Sequence, residues 1–210
     1  MSQQVGHLAV PLPRDFYARS ALEVAPRLLG KVLCHRRRGT VTSGRIVEVE
    51  AYMGADDPAS HAHRGMTPRN RAMFGPPGHA YVYFTYGSHW CMNVVTDRQG
   101  VGSGVLLRAL EPLEGIALMR RRRGRVEVRE LASGPGKLAE AMGIDRGSYG
   151  LDLTQEPLWI QEDAETGAAA AWISTPRIGI RLAAERPYRF LVAGSAFVSR
   201  GRPAFPSRTL

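Results

Sequence analysis

Residues 45–52 read Arg-Ile-Val-Glu-Val-Glu-Ala-Tyr, the apolar alternation of a half-buried strand with two glutamates set inside it. Period-two geometry puts Val47, Val49 and Ala51 on one face and Ile46, Glu48, Glu50 and Tyr52 on the other. The first face belongs to a core. On the second, the carboxylates stand roughly 6.6 Å apart along the strand, from the rise per residue. Two readings are open here. An antiparallel sheet often turns such a pair to water. Alternatively the pair faces a site, because the strand runs into residues 54–79, an irregular stretch rich in Gly, Pro, His and Arg. Loops of that length inside a domain are uncommon unless they carry function.

Working outward, "AYVYFTYGSHWCMNVV" (80–95) is two aromatic-rich runs meeting at Gly87-Ser88, a hairpin signal. Among its aromatics Tyr81, Tyr83, Tyr86 and Trp90, Trp90 together with Phe84 reads as core or cross-strand packing. Tyr86 abuts the turn, so its ring has little core to bury against; it either pairs across strands or stacks on a nucleic-acid base. Upstream, a short helix is expected at 20–29: Ser20 and Glu23 have capping-box spacing, Pro26 delays or bends it, and Gly30 ends it. Strands follow at 31–36 and 44–52. Downstream, "GVLLRALEP" (104–112) predicts a strand closed by Pro112, and "LEGIALMRRRRGR" (113–125) a short helix with cations at its C-terminal end. "SGPGKLAEAMG" (133–143) predicts a helix with Ser133 as cap, Pro135 in the first turn and Gly143 as stop. Residues 145–175 read as a surface loop, and "RIGIRL" (177–182) and "YRFLVAG" (188–194) as late strands.

No repeat is present and strands do not alternate regularly with helices, which argues for α+β over a doubly wound sheet. The expectation is one domain over 1–210, with loosely held ends near 1–9 and 201–210. The formal charge of +9 points to a polyanionic partner, DNA or RNA first. Arginine supplies it almost alone, Lys31 and Lys137 being the only lysines. The run Arg120–Arg123 with Arg125 is a solvated helix end or a phosphate contact; both stay open. Two cysteines, Cys34 and Cys91, are too few for a disulfide framework, no apolar run reaches membrane-spanning length, and the start lacks a signal peptide's pattern. A cytoplasmic protein without membrane contact is expected. His61 and His63 form only an H-x-H, so no metal is expected.

Taken together, "GRIVEVEAYMG", "TPRNRAMFGPPGHAYVYFTYGSHWCMN", "LLRALEPLEG" and "SGPGKL" resemble the alkyladenine (3-methyladenine, N-methylpurine) DNA glycosylase family. The match in order and spacing runs from about residue 10 to 199. The resemblance implies a single compact α+β domain with a curved, mainly antiparallel β-sheet, peripheral helices and a protruding β-hairpin. It implies a monofunctional enzyme that flips alkylated or deaminated purines from double-stranded DNA and hydrolyses the N-glycosidic bond with an activated water. The product is an abasic site, the opening of base excision repair. No cofactor and a monomeric state are expected.

By position, the resemblance makes Glu50 the catalytic carboxylate, Arg108 the arginine that helps hold the attacking water, and Ile178 the backbone carbonyl completing its cradle. Tyr52, His61 and Tyr83 match the walls of the base pocket, and Asn93 the side chain that crowds a purine 2-amino group. Tyr86 matches the side chain inserted in the minor groove. Glu48 is expected to support or to be structural. Lys137, the one amine near a recognised motif, could in principle form a Schiff base, but its place in a helix's first turn favours phosphate or capping. "HAHRGMTP" (61–68) is slightly shorter than in vertebrate members, His63 and Met66 differ from the expected pocket residues, and Ser88-His89 replace bulkier apolar residues. These departures bear on lesion range. The rivals are a binding module with a dead site and a metal-dependent hydrolase built on the histidines.

Overall fold

The structure is a computed structural model that describes residues 10–85, 87–124, 126–163 and 171–200. After a single turn, α1 (Arg14–Tyr17), helix α2 runs over Ala21–Leu28. Ser20 and Glu23 form the expected capping box, and Gly30 follows at φ 83°. Pro26 neither delays the start nor breaks the helix; it sits in the last turn, with the helix ending two residues on. Val24 and Leu28 are fully buried, each contributing about 1.5–3 kcal/mol.

Strands β1 (Val32–Arg37) and β2 (Thr40–Tyr52) form the first hairpin. Strands β3 (Ala80–Thr85) and β4 (His89–Thr96) form the second, across the Gly87-Ser88 turn with Gly87 at φ 64°. Next comes β5 (Ser103–Glu114), which is not closed by Pro112 but runs through it. A register irregularity opposite Ser43 and Gly44 absorbs the missing N–H. Helix α3 (Ile116–Arg123) and helix α4 (Pro135–Met142) follow. Ser133 does not cap α4: Gly134 holds the N-cap with no side-chain bond, while Pro135 at the start and left-handed Gly143 at the end stand as expected. The stretch 145–175 is not all loop, since it contributes β6 (Leu158–Gln161) and β7 (Trp172–Thr175). Strand β8 (Arg189–Val192) lies within "YRFLVAG", but "RIGIRL" is irregular rather than a strand.

Among the described residues, eight strands make one antiparallel sheet ordered β3-β4-β5-β2-β1-β6, with β8 against β2 and β7 against β8. This is a single compact α+β domain with a curled sheet and few helices. Helices α2 and α4 cover the face carrying Val82, Met92, Val94, Val105, Leu107 and Val49. Alternation sends Tyr81, Tyr83, Cys91, Asn93, Leu106, Arg108 and Tyr52 to the other face, where they line a cavity.

The β2–β5 register slips twice in succession. Ile46 faces Leu110 and Glu48 faces Ala109, leaving Val47 as the extra residue on β2; Val49 then faces Leu107, leaving Arg108 as the extra residue on β5. The bulge corrects the simple face assignment. Ile46 joins Val49 and Ala51 in the main core, while Val47 is buried outside that cluster. Below the bulge β1 pairs with β2, and above it β8 takes that edge.

Candidate active site

Glu48 and Glu50 are each fully buried, so the solvated-face reading is excluded. Cross-strand pairing sets Tyr81, Asn93, Leu106, Glu50 and Arg189 in one row across the sheet. Glu50 is held at both oxygens. Its Oε1 accepts from the Ile178 backbone N–H at 2.7 Å and lies 3.2 Å from Arg108 Nη1; its Oε2 accepts from the Tyr52 hydroxyl at 2.9 Å. Arg108, Tyr52 and Ile178 all line a cavity of about 610 Å³. Glu50 itself sits one layer behind that wall, reached through those three residues.

Glu48 is the more heavily bonded of the two. Its Oε1 accepts from Arg108 Nε (2.9 Å), Arg189 Nε (2.7 Å) and Ser199 Oγ (2.8 Å), and its Oε2 from the Ser199 N–H (2.5 Å). Burial would raise its pKa, but the guanidiniums of Arg108 and Arg189 and the Ser199 amide outweigh that and hold it below the usual carboxylate range. Desolvation works against the charge on Arg108 as well, yet Glu50 and Glu48 raise its pKa further. It stays a cation.

His61, Tyr83 and Asn93 also line the cavity. His61 stands edge-on to Tyr83, with centroids 4.6 Å apart, and its Nδ1 meets the Tyr81 hydroxyl at 3.0 Å. Tyr83 stacks on Tyr81 at 5.3 Å. Burial, then the charge of Arg69, lower the His61 pKa, so the ring is neutral near pH 7. The loop carrying His61 is fixed by Asn70, whose Nδ2 donates to the His61 and Gly65 carbonyls. The fold thus brings together Glu50, Arg108, Ile178, Tyr52, His61, Tyr83 and Asn93. At Ile178 the contact displayed is the amide on Glu50 rather than a carbonyl. Tyr86 lies outside the described residues, as does Arg125.

A chain whose buried carboxylate, arginine and aromatic cavity are arranged in this way can be compared with known proteins. The family model described as methylpurine-DNA glycosylase (MPG) matches residues 15–196. The chain belongs to this family. It is a DNA glycosylase, a hydrolase of N-glycosyl bonds with a role in DNA repair. Its relatives include proteins named "Putative 3-methyladenine DNA glycosylase". One, from Chlorobaculum parvum, is 50% identical over 198 residues, covering 94% of this chain and 94% of the relative. One from Burkholderia lata is 50% identical, covering 90% of each, and one from Methanoculleus marisnigri is 51% identical, covering 90% of this chain and 98% of the relative.

Several residues escaped sequence reasoning. Arg189 and Ser199 close the Glu48 cluster, and Arg177 pairs with Asp57 behind Tyr52. None carries a local signal, because each partner is more than a hundred positions away. Lys137 lines the cavity beside Gly134, Pro135 and Gly136 at the start of α4. Of the arginine run, Arg122 donates to the Ala141 carbonyl and Arg123 pairs with Glu140, so the fold uses both; Arg120 and Arg121 are exposed. His63 Nδ1 meets the Ala55 carbonyl, away from His61's contact with Tyr81.

Proposed function

We propose that this glycosylase acts as a monomer on double-stranded DNA, extrudes an alkylated or deaminated purine and releases it with water as nucleophile, leaving an abasic site. The observation that carries the reading is the buried Glu50 carboxylate, held by Arg108 and the Ile178 amide directly behind an aromatic cavity. A base in a duplex hides its glycosidic bond, so it must leave the stack at a cost of a few kcal/mol. A cavity of about 610 Å³ accommodates a purine with its sugar. The exposed arginines favour the phosphate backbone, and Tyr86, matched by resemblance to the inserted side chain, fills the vacated stack.

Within the pocket, Tyr52 and Tyr83 offer faces to electron-poor alkylated purines. Asn93, buried on β4, crowds a 2-amino substituent and so disfavours guanine. As the N-glycosidic bond lengthens, positive charge develops on the sugar. Glu50 stabilises it and accepts a proton from the attacking water, a contribution of general-base type. Arg108 and the Ile178 backbone fix that water and the carboxylate. A purine that already carries a positive charge departs without a general acid, which is why one carboxylate at the reacting centre suffices. Glu48 serves by anchoring Arg108.

The test is a duplex with a single hypoxanthine or ethenoadenine, incubated with enzyme and then treated with alkali. Wild type breaks the strand at the lesion only after alkali, borohydride traps no protein–DNA adduct through Lys137, and excess chelator leaves base release unchanged. Equal breakage by wild type and Glu50→Gln would falsify the mechanism. A trapped adduct would replace hydrolysis with lyase chemistry.

A further inference from the structure

Arg177 is fully buried, yet it neither joins the Glu48 cluster nor lines the cavity itself. Its guanidinium carbon lies 4.6 Å from the centre of the Tyr52 ring and 5.4 Å from that of Tyr188, between the two. Both Nη atoms engage Asp57, Nη2 on Oδ1 at 2.8 Å and Nη1 on Oδ2. Nη1 also donates to the Ala51 carbonyl at 3.0 Å. Asp57 is itself pinned, accepting from the Ala59 and Met53 amides at 3.2 and 3.4 Å. The cation therefore cannot drift from Tyr52. Because Arg177 lies off the cavity wall while Tyr52 forms part of it, the guanidinium occupies the ring face turned away from the cavity.

We propose that Arg177 is a specificity-determining residue: bound to the far face of Tyr52, it weakens that ring's attraction for a cationic base and so narrows the gap between charged and neutral purines. The inference rests on the reading of this cavity as the base pocket. The physics is electrostatic. An aromatic face attracts a cation through its quadrupole. A second cation already bound on the opposite face draws π density toward itself and repels the newcomer directly. With 4.6 Å on one side and a stacking distance of about 3.5 Å on the other, the two charges stand roughly 8 Å apart across the ring. Asp57 cancels part of the repulsion, so its charge sets the strength of the effect. The guanidinium also steadies the neighbouring Ile178, whose amide holds Glu50. That second influence acts equally on every lesion, and selectivity separates the two.

Single-turnover release of 7-methylguanine (cationic) and hypoxanthine (neutral) from the same duplex context gives the ratio that decides. Wild type is measured first; release of neither base would overturn the functional reading and this inference with it, whereas release of both with an unmoved ratio overturns the inference alone. Arg177→Met should raise the ratio of cationic to neutral release by about threefold, at the low end of a cation–π contact. Arg177→Lys, which keeps the charge, should stay close to wild type. Asp57→Asn, which leaves the guanidinium uncompensated, should lower the ratio. Circular dichroism establishes that each variant is folded, and if Arg177→Met is not, Asp57→Asn decides alone. Both lesions slowed by one common factor in Arg177→Met, or an unchanged or raised ratio in Asp57→Asn, overturns the proposal.

Discussion

Replacing each of the two buried glutamates by glutamine should give opposite phenotypes, because their hydrogen-bond partners differ. An amide can satisfy the Glu50 site. Its oxygen takes the place of Oε1, accepting from the Ile178 N–H beside Arg108, and its NH2 faces the Tyr52 hydroxyl, which turns to accept. Arg108 keeps its anchor on Glu48. Glu50→Gln should therefore melt within about 1.5–3 kcal/mol of wild type, the worth of a charge-assisted bond, while base release falls by about 10²–10⁴ if the proposed general base is lost. No amide satisfies the Glu48 site, since each oxygen already faces an N–H: two guanidiniums at Oε1, beside the Ser199 hydroxyl, and the Ser199 N–H at Oε2. Whichever way the glutamine turns, NH2 meets N–H, and two buried arginines lose a countercharge. Breaking a buried pair in this way costs about 3–5 kcal/mol, a fall in Tm on the order of 10 °C for a chain of this size. Thermal melting followed by circular dichroism, with single-turnover hypoxanthine release alongside, measures both. The reasoning fails if Glu50→Gln loses as much stability as Glu48→Gln, or if Glu48→Gln melts with wild type.

Acid should act on the fold through the same carboxylates. Glu48 and Asp57 are held below the usual carboxylate range despite burial, so their stabilisation is complete above the unfolded pKa and is lost as pH falls through the lowered folded values. Melting temperatures should drop in that acid range, and both carboxamide variants should flatten the slope. The His61 pKa is lowered by burial and by Arg69, so the benefit of its neutral form is present above the unfolded value of about 6.5 and lost as pH falls below it. A nuclear magnetic resonance titration of its ring protons should give a midpoint under that value; one at or above it contradicts the burial argument. Gly102→Ala should destabilise by about 1–3 kcal/mol from overpacking alone, since its added methyl would lie 2.8 Å from Ala62 and from the Phe74 ring at φ 75°. An unshifted melting curve would refute that close approach.

Much of the fold was legible. The Ser20–Glu23 box, the Gly87-Ser88 hairpin, the Pro135 start and the Gly143 stop are local signals, and the structure honours each. What failed depended on partners far along the chain. The parity of residues 46–52 places Ile46 with the glutamates, but the bulge at Val47 moves it to the core, and nothing in the sequence marks the extra residue. "RIGIRL" alternates as a strand would; instead the irregular run 178–180 borders the cavity, while Arg177 points back to Asp57, 120 positions upstream. Glu50 and the pocket residues were identified by resemblance, whereas the residues alone left the strand's second face undecided between water and a site. Burial of both carboxylates decides it.

The second glutamate has a physical reason to be there. With Glu50 alone, Arg108 would have a single countercharge and would close on it fully. Instead Arg108 is the extra residue of its strand, lying between two acids, and it donates Nε to Glu48 at 2.9 Å while only leaning on Glu50 at 3.2 Å. Arg189 supplies Glu48 with a second cation. Two carboxylates and two guanidiniums then balance inside the sheet, and Glu50 shares the Arg108 charge with Glu48 while the Ile178 amide and the Tyr52 hydroxyl complete its bonds. A bulged strand delivers what regular pairing could not: two buried acids held in register with one arginine shared between them.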